Sequence, residues 1–256
     1  MHFIVCIKSV IRSAPGGIAR RSADNSELNP FDRPALEAAL QLKQSHGGSI
    51  TLLSMGPPAA SAALAEGLAM GADRAVLISD RALAGSDTLI TADVLAAAVQ
   101  RLGAFDFLFF GVRSMDSDTG QVGPQTAASL NLPFVSGVKA MERRQTEWRL
   151  QRVMDDWEET WHVQPPAAAS IHMRAFHPRP VSLTGIGCTY DRLRLETWPL
   201  AELGLQEAEV GLEGSPTRVA DLKTVDRKRR CRMLSGEPGE QVEALLVHLN
   251  ERGLLE

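Results

Sequence analysis

Short apolar runs alternate with stretches of helical period through the first half of the chain. Residues Phe3–Ile7, Ser49–Met55, Ala75–Ser79 and Phe105–Gly111 each read as a buried strand. Between them, Pro34–Gln44, Ala59–Met70, Thr88–Leu102 and Gln121–Leu130 place apolar residues near a 3.6-residue period and read as helices. This alternation predicts βαβ units and a parallel sheet. The pattern changes near Pro133. Glu147–Met154 and Glu159–Gln164 read as an antiparallel hairpin turning at Asp155–Asp156, and Ala167–His172 as a strand returning to the sheet. The stretch from about Gly185 to Gly239 lacks strong periodicity and reads as an extended arm, which is expected to lie on a partner. Gln241–Arg252 then reads as an amphipathic helix carrying Val242, Leu245, Leu246 and Leu249. Ser13–Ser26, rich in small and basic residues, reads as an exposed loop. The expected division is an α/β nucleotide-binding domain over 1–190 and a C-terminal arm and helix over 191–256 that contacts a partner subunit.

At 256 residues the chain fits one or two domains. Its 27 basic and 31 acidic side chains give a net charge of -4, which argues against a nucleic-acid footprint. Apolar stretches such as Asp87–Val99 are interrupted well before the ~18–20 residues of a membrane span. The N-terminus reads as a strand with no signal-peptide pattern, so a cytoplasmic protein is expected. Cys6, Cys188 and Cys231 are too few and too scattered for a disulfide framework or zinc site.

In an open α/β sheet, ligands bind beyond the carboxyl ends of the strands. Four segments are expected there: Cys6–Lys8, Met55–Pro58, the turn Asp80–Thr88, and Gly111–Pro124. The last is a polar loop of small residues entering a helix. The first N–H groups of a helix lack internal partners and favour an anion. Ser, Thr and Asp before a helix are equally ordinary caps. Asn29 and the pair Asp87-Thr88 carry the same ambiguity, and the loop matches neither a Walker motif nor GxGxxG. No metal-ligand spacing or GxSxG nucleophile is present. Asp155, Asp156, Glu158 and Glu159 cluster at the expected hairpin turn and read as solvated surface, as does the basic run Arg227–Arg230. Trp157 and Trp161 read as packing or interface residues, and Cys6 as a buried hydrophobe. A nucleotide-binding α/β domain without catalytic side chains suits a protein whose cofactor performs the chemistry.

Several phrases, taken in order, resemble the β subunit of electron transfer flavoproteins. They are Val5-Cys6-Ile7-Lys8, Asn29-Pro30-Phe31-Asp32, Met55-Gly56-Pro57-Pro58, Ala69-Met70-Gly71-Ala72-Asp73-Arg74, Asp116-Ser117-Asp118-Thr119-Gly120-Gln121-Val122-Gly123-Pro124, Leu130-Asn131-Leu132-Pro133, Pro178-Arg179 and Gly211-Leu212-Glu213-Gly214-Ser215-Pro216-Thr217. The resemblance spans roughly residues 1–219 and is greatest to the bifurcating subgroup. It implies the adenine nucleotide α-hydrolase-like fold and a partner α subunit that carries an electron-transferring FAD. In this chain it implies FAD, or AMP in the ordinary subgroup, with NADH as an electron donor in the bifurcating type. By position, Cys6, Lys8, Asn29, Met55, Asp87, Thr88, Arg113, Asp116, Asp118, Thr119, Gly120, Gln121, Val122 and Gly123 would contact the cofactor. A docking loop at His172–Pro180 would present Ala175, with Phe176 beside it, to a dehydrogenase such as an acyl-CoA dehydrogenase. The chain departs from the family at Ser9-Val10-Ile11-Arg12, where Lys-Gln-Val-Pro-Asp is usual, and at Val112-Arg113-Ser114. Two other classes stay open: a non-redox nucleotide-binding structural or regulatory subunit, and a nucleotide hydrolase on a related fold.

Overall fold

A computed structural model describes residues 1–11, 25–191, 195–221 and 231–255. Its strands are β1 (His2–Cys6), β2 (Ser9–Ile11), β3 (Ser26–Leu28), β4 (Ser49–Met55), β5 (Arg74–Ile78), β6 (Phe107–Gly111), β7 (Phe134–Arg144), β8 (Glu147–Met154), β9 (Trp157–Val163), β10 (Ala167–Ile171) and β11 (Leu195–Trp198). Its helices are α1 (Arg33–His46), α2 (Ser61–Met70), α3 (Thr88–Leu102), α4 (Val122–Ser129), α5 (Leu183–Asp191), the short α6 (Gly211–Gly214) and α7 (Pro238–Glu251). The chain divides into two compact units, Met1–Arg218 and Val219–Glu256.

Nine strands form one sheet in the order β11-β5-β4-β1-β6-β10-β7-β8-β9, while β2 and β3 pair separately. The strands from β11 to β7 run parallel; β8 and β9 continue antiparallel. The chain leaves central β1 towards β4 and β5, then crosses through α3 to β6 on the other side. This reversal creates the crevice that parallel sheets use for ligands.

The strand periodicity explains the layers. In β1, Phe3 and Val5 face one core while Ile4 and Cys6 face the other. The first core also takes Leu36 and Leu40 from α1 and Ala63 and Leu64 from α2. The second takes Val94, Leu95 and Val99 from α3 and Ala127 from α4. Both sheet faces are therefore covered, which is why β1, β4 and β6 read as continuous apolar runs. Trp148 of β8, 2% exposed, ties the antiparallel extension to the first core. Its ring meets Phe107 edge-on at 5.1 Å and His46 at 5.3 Å.

The structure corrects the expected arm. Its first part instead forms α5 and β11, and β11 pairs with β5 through Leu195–Trp198. The four-residue β11 is too short to show a period. Long-range side chains hold it: Glu196 receives two hydrogen bonds from Arg74 at 2.8 and 2.9 Å. Buried Trp198 also lies under the guanidinium of Arg101, 4.7 Å from the ring centre. The first compact unit runs to Arg218. Strand β7 was also hidden in the sequence, behind its polar outer half.

In the second unit, α7 begins with a reciprocal capping box between Glu237 and Glu240 and buries none of its side chains. Most of the expected loop Ser13–Ser26 and all of the basic run Arg227–Arg230 lie outside the described residues. Among the described residues, no helix is long and apolar enough to cross a membrane.

Removing Trp148 should leave a cavity where the hairpin meets the core. Trp148→Ala is expected to lower unfolding free energy by about 3–5 kcal/mol, as measured by urea denaturation of the full chain.

Candidate nucleotide site

A cleft of about 1180 Å³ opens at the carboxyl ends of the central strands. This exceeds the ~300–1,000 Å³ typical of small-molecule pockets. Cys6 ends β1 and Lys8 follows it; Met55 ends β4 and Pro57 follows it; most of Ser79–Thr88 lines the cleft after β5; Gly111 ends β6 and Arg113 follows it. Thr119, Gly120, Gln121, Val122 and Gly123 bring the start of α4 to the same space. Twelve of the fourteen residues expected to contact a cofactor line this cleft; Asp116 and Asp118 do not.

The structure separates two helix starts that the sequence left equivalent. Asp87 caps α3: its Oδ1 accepts from the amides of Leu89 and Ile90, both at 3.0 Å. By contrast, Gln121 at the start of α4 makes no side-chain cap hydrogen bond. The first amides of α4 therefore point to a cleft with no side-chain acceptor competing at the cap, the arrangement that favours an anion. Thr119 Oγ1 makes only a long contact, 3.5 Å, with the Gln121 amide. Thr88 Oγ1 donates to Gln121 Oε1 at 3.2 Å and connects the two helix starts.

Asn29 holds a loop and does not cap α1. Its Nδ2 donates to the Arg113 carbonyl at 2.9 Å, while its Oδ1 accepts from the Met115 amide at 3.2 Å. Asn29 is only 1% exposed, so these bonds fix the Arg113–Met115 turn from below.

Beside it, Asp32 was not singled out by the sequence reading. Asp32 Oδ2 accepts from the Lys8 amide at 2.7 Å. Burial pushes its pKa up to about 7, against the lowering effect of hydrogen bonding. Gly111 permits this approach: a Cβ there would lie 2.3 Å from Asp32 Oδ1 and 2.5 Å from the Phe31 carbonyl oxygen. Burial also raises the Cys6 thiol, consistent with a small core residue and not a nucleophile.

Two cations at the rim, Lys8 and Arg113, are paired. Lys8 Nζ donates to Asp116 Oδ1 at 2.7 Å and to Ser117 Oγ at 3.3 Å. Against burial, which raises it, Lys8 holds the Asp116 carboxyl below its ordinary value. Arg113 sits over Phe31, 4.6 Å from the ring centre, and contacts Asp118 at 3.3 Å. Asp118 adopts a positive φ of 54°. The carboxylates Asp116 and Asp118 thus hold cleft-lining cations.

A second missed element closes the cleft. Thr217 lines it and donates through Oγ1 to Asp87 Oδ2 at 2.7 Å. Thr217 belongs to a phrase that resembles the family, but nothing local places it at the cleft, because its partner lies 130 positions away. Ala175 and Phe176 are elsewhere: both are half-buried and pack against the first core. In the acidic cluster of the hairpin, Glu159 Oε2 accepts from Arg152 Nε and from Trp161 Nε1, both at 2.8 Å. Among the described residues, no group of three or more His, Cys, Asp or Glu side chains could hold a metal ion.

A doubly wound α/β protein with a large ligand cleft at its strand ends is thereby defined. Residues 17–187 match the electron transfer flavoprotein domain. The chain is 36% identical over 230 residues to the electron transfer flavoprotein subunit beta of Thermoanaerobacterium thermosaccharolyticum, covering 90% of this chain and 88% of that one. It is 35% identical over 271 residues to the acryloyl-CoA reductase electron transfer subunit gamma of Anaerotignum propionicum, covering 100% of both. Identity to Protein FixA of Azorhizobium caulinodans is 32% over 267 residues, covering 98% and 95%. The chain belongs to the electron transfer flavoprotein family, in the group of its β subunits.

The elevated Asp32 pKa has a defined pH consequence. Between the ordinary carboxylate value of 3.8 and about 7, the folded state binds a proton that the unfolded state has released. This group's contribution therefore makes stability fall as pH rises through that window. Carboxyl NMR titration should place the Asp32 midpoint near 7. The corresponding slope in unfolding free energy should disappear in Asp32→Asn.

Proposed function

We propose that this chain is an electron-carrier subunit whose cleft holds an adenine nucleotide, FAD in preference to AMP. The observation that carries the reading is the α4 start, without a side-chain cap and open to a cleft at the carboxyl ends of parallel strands. Phosphate fits such a start because the aligned amides supply donors and a positive dipole end. The small residues Gly120 and Gly123 let it approach the backbone. The size of the cleft supports a dinucleotide over a mononucleotide.

In this reading, Gly120–Gly123 and Thr119 hold phosphate, while Lys8 and Arg113 screen its charge from the rim. Cys6, Met55 and Thr88 line the remaining length. Asn29 and Asp32 fix the turns from beneath, and Asp116 and Asp118 orient the two cations. A bound flavin supplies the redox chemistry. The chain's residues bind it, orient it and limit its access to water.

The proposed partner is an electron transfer flavoprotein α subunit. Electrons pass with it to or from a dehydrogenase, and NADH is the proposed donor if this chain holds FAD. Relatives named as electron transfer subunits, including one of acryloyl-CoA reductase, support that assignment. We assign α7 to the contact with the partner subunit, because its apolar residues are exposed in its own unit. Ala175 and Phe176 are assigned to dehydrogenase docking, where partial burial would hold the anchor ready.

The test is to denature the co-purified complex and to identify and count its released nucleotides. Two FAD per heterodimer and no AMP are expected. One FAD with one AMP would replace FAD by AMP in this chain; one FAD alone would overturn the nucleotide-site reading and favour a structural subunit.

A further inference from the structure

The segment Val210–Thr217 crosses the wall formed by Ala82–Thr88 and bonds to it repeatedly. The Leu212 amide donates to the Ala84 carbonyl at 3.1 Å, and the Gly211 amide to Ser86 Oγ at 3.1 Å. Ser86 Oγ donates in turn to the Leu83 carbonyl at 2.8 Å. Ser215, 5% exposed, accepts from the Asp87 amide at 2.9 Å and donates to the Gly211 carbonyl at 2.5 Å. Each serine hydroxyl thus gives one hydrogen bond and accepts another, which fixes its rotor. Gly211 has φ 64°, and a Cβ there would lie 2.0 Å from the Ala82 carbonyl oxygen. The two backbones are interlocked at a distance other residues would not allow.

The last bonds of this interlock reach a side chain at the cleft itself. One carboxylate, Asp87, serves both neighbours: Oδ1 caps α3, while Oδ2 accepts from Thr217 N at 3.1 Å and from Thr217 Oγ1 at 2.7 Å. Asp87, Thr88 and Thr217 all line the cleft. The next residue after Thr217 is the last of the first compact unit.

We propose that Val210–Thr217 is a strap that positions the nucleotide site, with Thr217 on Asp87 as its latch, so that cleft occupancy and closure of the latch are energetically coupled. This inference rests on the reading of the cleft as a nucleotide site. A ligand against Asp87 and Thr88 favours the latched wall, and by linkage the latched wall favours the ligand. Thr217 is a positioning residue in this scheme, and the coupling acts through the wall it holds.

The full chain should be titrated with FAD and with AMP as probes, as wild type, Thr217→Val and Thr217→Ser. Valine keeps the shape and removes the donor; serine retains the donor. Thr217→Val should weaken binding of the preferred nucleotide about tenfold, within the range of ordinary coupling energies, and Thr217→Ser should restore it. In wild type, bound nucleotide should slow amide hydrogen exchange at both Asp87 and Thr217. The exchange measurement stands even if Thr217→Val does not fold. A wild type that binds nucleotide with unchanged exchange at these amides, or a Thr217→Val variant that binds equally tightly, would overturn the strap and leave the site reading intact. Wild-type chain that binds neither probe would overturn both.

Discussion

The carboxylate of Asp32 joins the ends of the two central strands on which the cleft is built. It accepts the amide that follows β1 at Lys8, and its other oxygen lies so close to Gly111 at the end of β6 that a Cβ there would stand 2.3 Å away. These strands lie side by side, and the chain departs from them in opposite directions. Without this acceptor, the Lys8 amide would be left beside the crevice without a partner, at a cost of about 1–3 kcal/mol. The same burial makes full ionisation of Asp32 unfavourable, which explains its raised pKa. The acid adjacent to α1 thereby sets the separation of the loops that carry Lys8 and Arg113.

Much of this arrangement is written in local sequence. The apolar runs at Phe3–Ile7, Ser49–Met55 and Ala75–Ser79 lie on strands because a sheet covered on both faces needs them. Gly111–Pro124, most of which lines the cleft, was recognisable as a strand-end loop because small residues lead into a helical period. Whether Asp87 or the residues before Val122 served as caps was not legible, since the same residue types fill both roles. Trp198 and Thr217 escaped for another reason: each acts through partners far away in sequence, such as Arg101 and Asp87. A four-residue strand has too few positions to reveal alternation. The acids Glu158 and Glu159 on the edge strand fit the use of charge to discourage further strand pairing.

Two of the three basic residues that line the cleft are paired at its rim. Lys8 has Asp116 and Arg113 has Asp118 within ion-pair distance. Both pairs are substantially exposed, so their net contribution to stability is small. Their effect is geometric: they hold cations at the mouth without leaving a strongly positive empty cleft. An entering phosphate would share these cations with the carboxylates already present. Backbone amides of α4, whose direction is fixed by the helix, then set the position more firmly than the long side chains do.

Strand β11 has a consequence for the order in which the molecule is completed during synthesis. Most of the parallel sheet is encoded before residue 172, yet its outermost parallel strand begins at Leu195 and the cleft's final lining residue is Thr217. Synthesis runs from the N-terminus, so the edge of β5 waits uncovered while the antiparallel hairpin emerges. The Asp80–Thr88 wall also waits for its later-made supports, Leu200, Ser215 and Thr217. The growing chain therefore has most of its sheet before it has a finished cleft, and the cleft wall is complete only once Thr217 has emerged.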